Sequence, residues 1–360
     1  MCPRALSSDR SLSEVVVVVR QLIPSPPKLR SSREFGKIAH SHRQSRAKEQ
    51  ILAKLHVLGS GGPRPIKARF GSSHVVDVGG RKIMFDCGPA TTYKMAKTGL
   101  HPLDIDYLFF THHHFDHDVD YPCFMMTRWD ESIGKEEPLR AFGPNNTESI
   151  TERLIGEKGA FAYDINARTN HPLSKSTYQL RGGILPRPRM NVIAKDVGPG
   201  TVFTGNDFEV TAAPAEHVEP YHDSLAYRLD TSEGSIVFTG DTEPCERIVD
   251  LARGADALVS MCGNFESVYD ARPNDIGQTG TLGAAEMAAE AGVKELFLVH
   301  VGPDLSAPEN RERGIAEVKT VFDGEVTLTD ELQTYDWQKH DHSHDDPPSG
   351  PEVHPHIHRH

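Results

Sequence analysis

Cysteine is scarce and scattered. The five in the chain, Cys2, Cys87, Cys123, Cys245 and Cys262, include no C-x-x-C pair. That spacing argues against a disulfide framework and fits a reducing compartment, so a cytoplasmic location is expected. Long apolar runs are missing as well: the longest near the start, Val15 to Val19, is far short of the roughly 20 residues of a membrane span. It is short even for a signal sequence, and neither a membrane helix nor a signal peptide is expected. A basic excess is the third absence. The net charge is −12; residues 1–50 carry ten Lys/Arg against four Asp/Glu, net +6, which leaves −18 for the rest. An acidic body lowers the expectation of a polyanionic partner.

What remains is a chain of ordinary globular composition, 37% hydrophobic and 25% charged over 360 residues, able to bury a sizeable core. Residues 1–50 are rich in Ser, Arg and Pro and read as a disordered basic leader, or as the product of a start codon placed too early. Residues 339–360 hold seven of the twenty histidines among Pro, Asp and Ser, and read as a disordered tail able to hold metal loosely. The span 51–338 is left as one folded domain. Strands are expected over Leu52 to Leu58, His74 to Val78, Lys82 to Phe85, Asp106 to Phe110, Leu139 to Phe142, Phe208 to Ala213, Ser224 to Leu229, Ser235 to Phe238, Ala257 to Ser260 and Glu295 to Val299. Helices are expected over Thr91 to Thr98, Thr147 to Ile155 with Asn146 as N-cap, Pro244 to Ala252, Thr281 to Ala291 and Glu309 to Val321, with short closing strands Val326 to Leu328 and Gln333 to Tyr335. From Ile155 to about Gly200 periodicity is weak and turn residues abound, which reads as a long irregular segment; its Arg181, Arg187 and Arg189 are candidates to meet an anionic substrate.

The densest chemistry stands where the apolar strand ending at Phe110 gives way to Thr111-His112-His113-His114-Phe115-Asp116-His117-Asp118. The pattern His-x-His-x-Asp-His consists of ligand types suited to zinc or another divalent first-row metal, placed where a strand end can point into a cleft. Further ligand types, His217, Asp241 and His300, each follow an expected strand. Gly59-Ser60-Gly61-Gly62-Pro63 is a turn whose backbone can approach another element closely. Asp86, after Phe85, reads by itself as a turn or cap residue.

This ordered set resembles the metallo-β-lactamase superfamily, and its spacing is most similar to the ribonuclease Z and arylsulfatase branch. The resemblance covers about residues 53–336 and rests on Gly59-Ser60-Gly61, Phe85-Asp86-Cys87-Gly88, the histidine cluster, Glu216-His217, Thr239-Gly240-Asp241-Thr242 and Leu298-Val299-His300. It implies an α/β fold, the four-layer αββα sandwich, with the site along one sheet edge. It also implies two zinc ions per chain, one held by His112, His114 and His217, the other by Asp116, His117 and His300, with Asp241 bridging. Two such metals can share a hydroxide at neutral pH, and Asp116 is the candidate catalytic proton acceptor. His113 and Phe115 alternate with the ligands and are expected to face away, as core or supporting residues. The resemblance departs at Ser260-Met261-Cys262-Gly263 and Gly277-Gln278-Thr279-Gly280, where ribonuclease Z enzymes carry a Glu and a His.

The first expectation is therefore a zinc-dependent hydrolase using a metal-bridging hydroxide on a small organic substrate: an ester, lactone, sulfate, phosphodiester or aryl halide. The second is a transfer-RNA 3′-processing endoribonuclease, and the third a mononuclear iron dioxygenase or a non-catalytic carrier on the same fold. A small-molecule partner is expected ahead of nucleic acid, with no membrane association and a homodimeric assembly.

Overall fold

The computed structural model describes residues 53–272, 276–340 and 342. The leader at 1–50 and most of the histidine-rich tail lie outside the described residues. Two seven-stranded sheets pack face to face. The first follows the order β14-β1-β2-β3-β4-β5-β6, built from Gln333–Trp337, Ala53–Ser60, Ser72–Val78, Arg81–Phe85, Ile105–Phe109, Leu139–Gly143 and Val192–Asp196. The second follows β13-β12-β11-β10-β9-β8-β7, built from Glu325–Leu328, Glu295–Val299, Ala257–Met261, Gly234–Phe238, Leu225–Thr231, Phe208–Pro214 and Gly200–Thr204. Each sheet joins antiparallel strands to a parallel set, β3 through β6 in one and β10 through β13 in the other. Parallel strands are covered on both faces, which explains why β10 and β11 are buried along their whole length.

The expected four layers are present. One apolar cluster fills the space between the sheets; a second lies beneath the helices Glu246–Ala252, Thr281–Ala291 and Pro308–Val318, and a third beneath Thr91–Thr98 and Tyr121–Glu131. Across the middle layer runs a ladder of rings. Phe142 and Phe109 stand 5.1 Å apart, Phe109 and Phe85 5.5 Å, and Phe85 stacks at 4.1 Å on Phe238 of the opposite sheet. Aromatic burial on this scale dominates core energetics. The same strands end in Asp86, Thr111 and Asp241, so the core that joins the sheets also fixes the spacing of the groups at their ends.

Three expectations need correction. The segment after Ile155 is largely helical, with helices Ala162–Asn170 and Pro172–Leu180. The first buries no residue and the second only Tyr178, so neither displays the apolar stripe by which helices are read from sequence. The arginines there do not await an anion: Arg168, Arg181 and Arg187 converge on Asp130 at 3.0, 2.9 and 3.0 Å. Arg187 is buried against Trp129, 3.9 Å from its ring, while exposed Arg189 faces Glu157 at 3.7 Å. Third, Asn146 precedes the helix Thr147–Ile155 as expected but sits at φ 86° and makes no side-chain cap; the Asp196 carboxylate accepts from Asn146 N and Glu148 N instead. No helix among the described residues is long and apolar enough to cross a membrane.

Candidate metal centre

All seven anticipated ligand-type residues gather at the ends of strands from both sheets. His112 and His114 follow β4, Asp116 and His117 lie on the single helical turn Phe115–Asp118, and His217, Asp241 and His300 follow β8, β10 and β12. All are buried except His114, which is half-buried. Their donor atoms fall into three sets, each within 4.8 Å: His112, His114 and His217; His112, His117 and Asp241; and Asp116, His117 and His300.

Asp241 joins the sets. Its Oδ1 is 3.4 Å from His117 Nε2, while its Oδ2 is 3.8 Å from His217 Nε2 and 3.1 Å from His300 Nε2. On one side, His114 Nδ1 is 3.0 Å from His112 Nε2 and 3.2 Å from His217 Nε2. On the other, Asp116 Oδ2 lies 3.4 Å from His300 Nε2 and 3.6 Å from His117 Nε2.

Whether this set suits metal is tested by what its atoms lack. Asp116 Oδ2, His117 Nε2 and His300 Nε2 are buried yet have no hydrogen-bond partner of good geometry among the described residues. Three converging orphaned atoms of ligand type are costly unless a cation meets them. Two of the other ring nitrogens are already committed. His117 Nδ1 donates to Asp86 Oδ2 at 2.8 Å and His217 Nδ1 to the Gly277 carbonyl at 2.8 Å, which leaves each Nε2 lone pair facing the centre. The buried His/Asp clusters therefore fit a binuclear metal centre.

Electrostatics point the same way. Burial works against a charged His300, but Asp241 and Asp116 overcome it and push it up to about 9; His117 rises similarly against burial because of Asp241 and Asp86. Burial also opposes ionisation of Asp241 and Asp116, yet the same histidines hold both carboxyls below their ordinary range. Carboxylates and imidazoles are thus coupled across the space where metal would sit, and a bound cation would take the place of the protons that these shifts favour on His117 and His300. By contrast His112 and His114 are pushed down, first by burial and then by neighbouring histidines, and remain neutral as ligands require.

Sequence reasoning missed Asp86. It is buried at φ 60° and accepts from Thr111 N at 2.8 Å and Thr111 Oγ1 at 2.9 Å as well as from His117, so it orients a ligand and is no mere turn residue. Its signals in the chain were its place at a strand end and within the Phe85-Asp86-Cys87-Gly88 stretch, neither of which assigned it a role. His113 is bonded to Thr147 Oγ1 at 2.8 Å and to Asp118 Oδ2 at 3.2 Å, away from the ligand set as expected, whereas Phe115 is 53% exposed and belongs to no core among the described residues. His222, not anticipated, stands at the rim with its ring 5.2 Å from that of His114. The glycine-rich turn does approach closely: a Cβ on Gly62 would lie 2.7 Å from His300 Cε1. Beside His300 opens a cavity of about 470 Å³ whose lining includes Arg64, Tyr269, Arg272 and Gln278.

Comparison with known proteins agrees with this geometry. The pattern of the metallo-beta-lactamase superfamily matches residues 66–300. A ribonuclease Z from Mycolicibacterium gilvum is 30% identical over 287 residues, covering 78% of this chain and 95% of its own. One from Mycobacterium bovis is 28% identical, covering 78% and 97%. Among solved structures, the metallo-beta-lactamase fold protein YhfI from Bacillus subtilis superposes with a TM-score of 0.61 at 21% identity, covering 79% of this chain and 99% of that one. The short form of human tRNase Z gives 0.55 at 19%, covering 78% and 98%, and a diphosphatase from the PhnP family 0.53 at 15%, covering 79% and 97%.

Proposed function

The chain belongs to the metallo-β-lactamase superfamily, in its ribonuclease Z-like branch, and from that premise we propose that this metal-dependent hydrolase is a dizinc phosphodiesterase whose substrate is RNA. The observation that carries the proposal is Asp241, with one oxygen turned to His117 and the other to His217 and His300. His112, His114 and His217 would hold one zinc, Asp116, His117 and His300 the second, and Asp241 would be shared between them. Two zinc ions in such a centre supply Lewis acidity and a water of lowered pKa.

The chain's own residues do the rest. Asp86 and the Gly277 carbonyl hold His117 and His217 in one tautomer and one orientation. Asp116, kept ionised by His300 and His117, accepts the proton of the attacking water through the carboxylate oxygen not turned to those histidines. The cavity beside His300, with Arg64 and Arg272 in its wall, suits a phosphate-bearing substrate on an otherwise acidic protein.

The named relatives favour RNA over the small organic substrate first expected. A small phosphodiester stays as the second reading because Cys262 and Gln278 stand in the segments where the branch has its Glu and His; burial pushes the Cys262 thiol up, out of range for proton transfer near neutrality. The test is turnover of the zinc-loaded chain on a precursor transfer RNA and on an aryl phosphodiester. Cleavage of the RNA at one site, with the better kcat/KM, supports the first reading; turnover of the aryl ester alone supports the second, and neither would overturn both. A homodimer belongs to the same proposal, and sedimentation of the full chain tests it.

A further inference from the structure

His74 lies in the middle of β2, 3% exposed, with Nε2 buried and without a hydrogen-bond partner among the described residues. Its ring is tilted against Phe238 at 5.8 Å. Burial first, and then His117 and His300 nearby, push it down to about 3, so the imidazole is neutral and offers one donor and one acceptor nitrogen. Nothing in the site described so far uses it.

Beside it lies a cavity of about 20 Å³ that borders the metal centre. Its wall is formed by His74 together with Ser72, Asp86, Thr111, His117, Asp241 and His300 as polar members, and by Phe85, Phe238, Val259 and Val299 as apolar ones. A volume above ~10–15 Å³ admits one water, provided two to four polar groups meet it. Both conditions hold, and an unpaired imidazole nitrogen in such a wall is otherwise costly.

We propose that this cavity is a structural water site, in which His74 Nε2 holds one water against the inner side of the Asp86–Asp241–His117 group. His74 is then a positioning residue: it touches neither substrate nor metal, and through the water it restrains the carboxylates that orient His117 and join the two ligand sets. The assignment rests on the metal-centre reading for its catalytic consequence, and on the cavity alone for the water.

The test uses the full chain, loaded with zinc, and its His74→Leu and His74→Gln variants. Leu fills the space without a polar atom, whereas Gln can return a hydrogen-bonding nitrogen or oxygen close to the Nε2 position. A crystal structure at high resolution is expected to show one ordered water within hydrogen-bond distance of His74 Nε2, absent in His74→Leu. Zinc loss to a chelator should be about 10-fold faster in His74→Leu, and kcat lower by a similar factor at unchanged KM, with His74→Gln restoring most of both. If His74→Leu does not fold, the water beside the unaltered His74 and the His74→Gln zinc-loss rate still decide. A dry cavity, or zinc loss equal in all three proteins, would overturn the inference. A chain that shows the water but binds no zinc would instead overturn the metal-centre reading and leave the water site standing.

Discussion

Asp241 has two oxygens and two sets of partners, and this gives it a different weight from any other acidic residue in the chain. Asp241→Asn keeps the shape and removes the charge that faces His117 and His300. On the proposed dizinc centre, we expect one metal to be lost or greatly weakened and activity to fall by more than the ~10–100-fold typical of an outer-shell change. Turnover measured against pH at saturating zinc checks this; a profile unchanged from wild type would mean that the bridge is misplaced. Asp86→Asn is the outer-shell counterpart. It leaves the seven ligand-type residues intact but weakens the bond to His117 Nδ1, so zinc affinity or kcat should drop about 10–100-fold. Competition against a chromophoric chelator gives the number, and wild-type affinity together with wild-type kcat would remove Asp86 from the account. The two residues also differ in how far they could be read from sequence. Asp241 follows an apolar strand within Thr239-Gly240-Asp241-Thr242, a local signature. Asp86 owes its role to His117, 31 residues away, and no spacing rule links a turn aspartate to that partner.

Most elements that bury an apolar face were legible; the exception is Tyr121–Glu131, which buries Phe124, Met125 and Trp129 but was not expected from the sequence. Thr91–Thr98, Thr281–Ala291 and Glu295–Val299 agree with their expected bounds because each presses buried side chains onto a sheet. Ala162–Asn170 buries nothing, and its neighbour Pro172–Leu180 is attached to the body through Tyr178 and a polar cluster on Asp130. Arg187 is the centre of that attachment, enclosed by Trp129 and Tyr178 and paired to Asp130. Arg187→Ala should destabilise by about 2–3 kcal/mol, from the lost ring contact and from Asp130 left short of a partner. Denaturant unfolding checks it; a change under ~0.5 kcal/mol would show the cluster to be ornamental.

The same cluster carries a pH dependence of defined sign. Burial works against the Asp130 carboxylate, but Arg187, Arg181 and Arg168 outweigh it and hold its carboxyl below the ordinary value. A depressed folded-state pKa contributes stability that is complete above the unfolded value of about 4 and is lost as pH falls through the folded one. The stability gap between wild type and Asp130→Asn should therefore be full at pH 7 and narrow below about pH 4. Thermal melts at both ends of that range measure it, and a gap that widens on acidification would contradict the assignment.

At the scale of the whole molecule, two sheets meet so that each contributes half of one site. His112, His114, Asp116 and His117 come from the end of the first sheet, His217, Asp241 and His300 from the second, and the Phe142–Phe109–Phe85–Phe238 ladder sets the distance between them. This is why the ligand set could be assembled from strand ends along the sequence, while the wall of the neighbouring cavity could not: Arg64 and Arg272 are brought together only by the packing of loops. The claim on which the rest depends is that the seven residues hold two metals. Crystals of the zinc-loaded full chain, measured on both sides of the zinc absorption edge, test it directly. The account predicts two anomalous peaks about 3.5–4 Å apart, one among His112, His114 and His217 and one among Asp116, His117 and His300, with Asp241 between. A single peak in one of the sets, or zinc found only outside them, would contradict it.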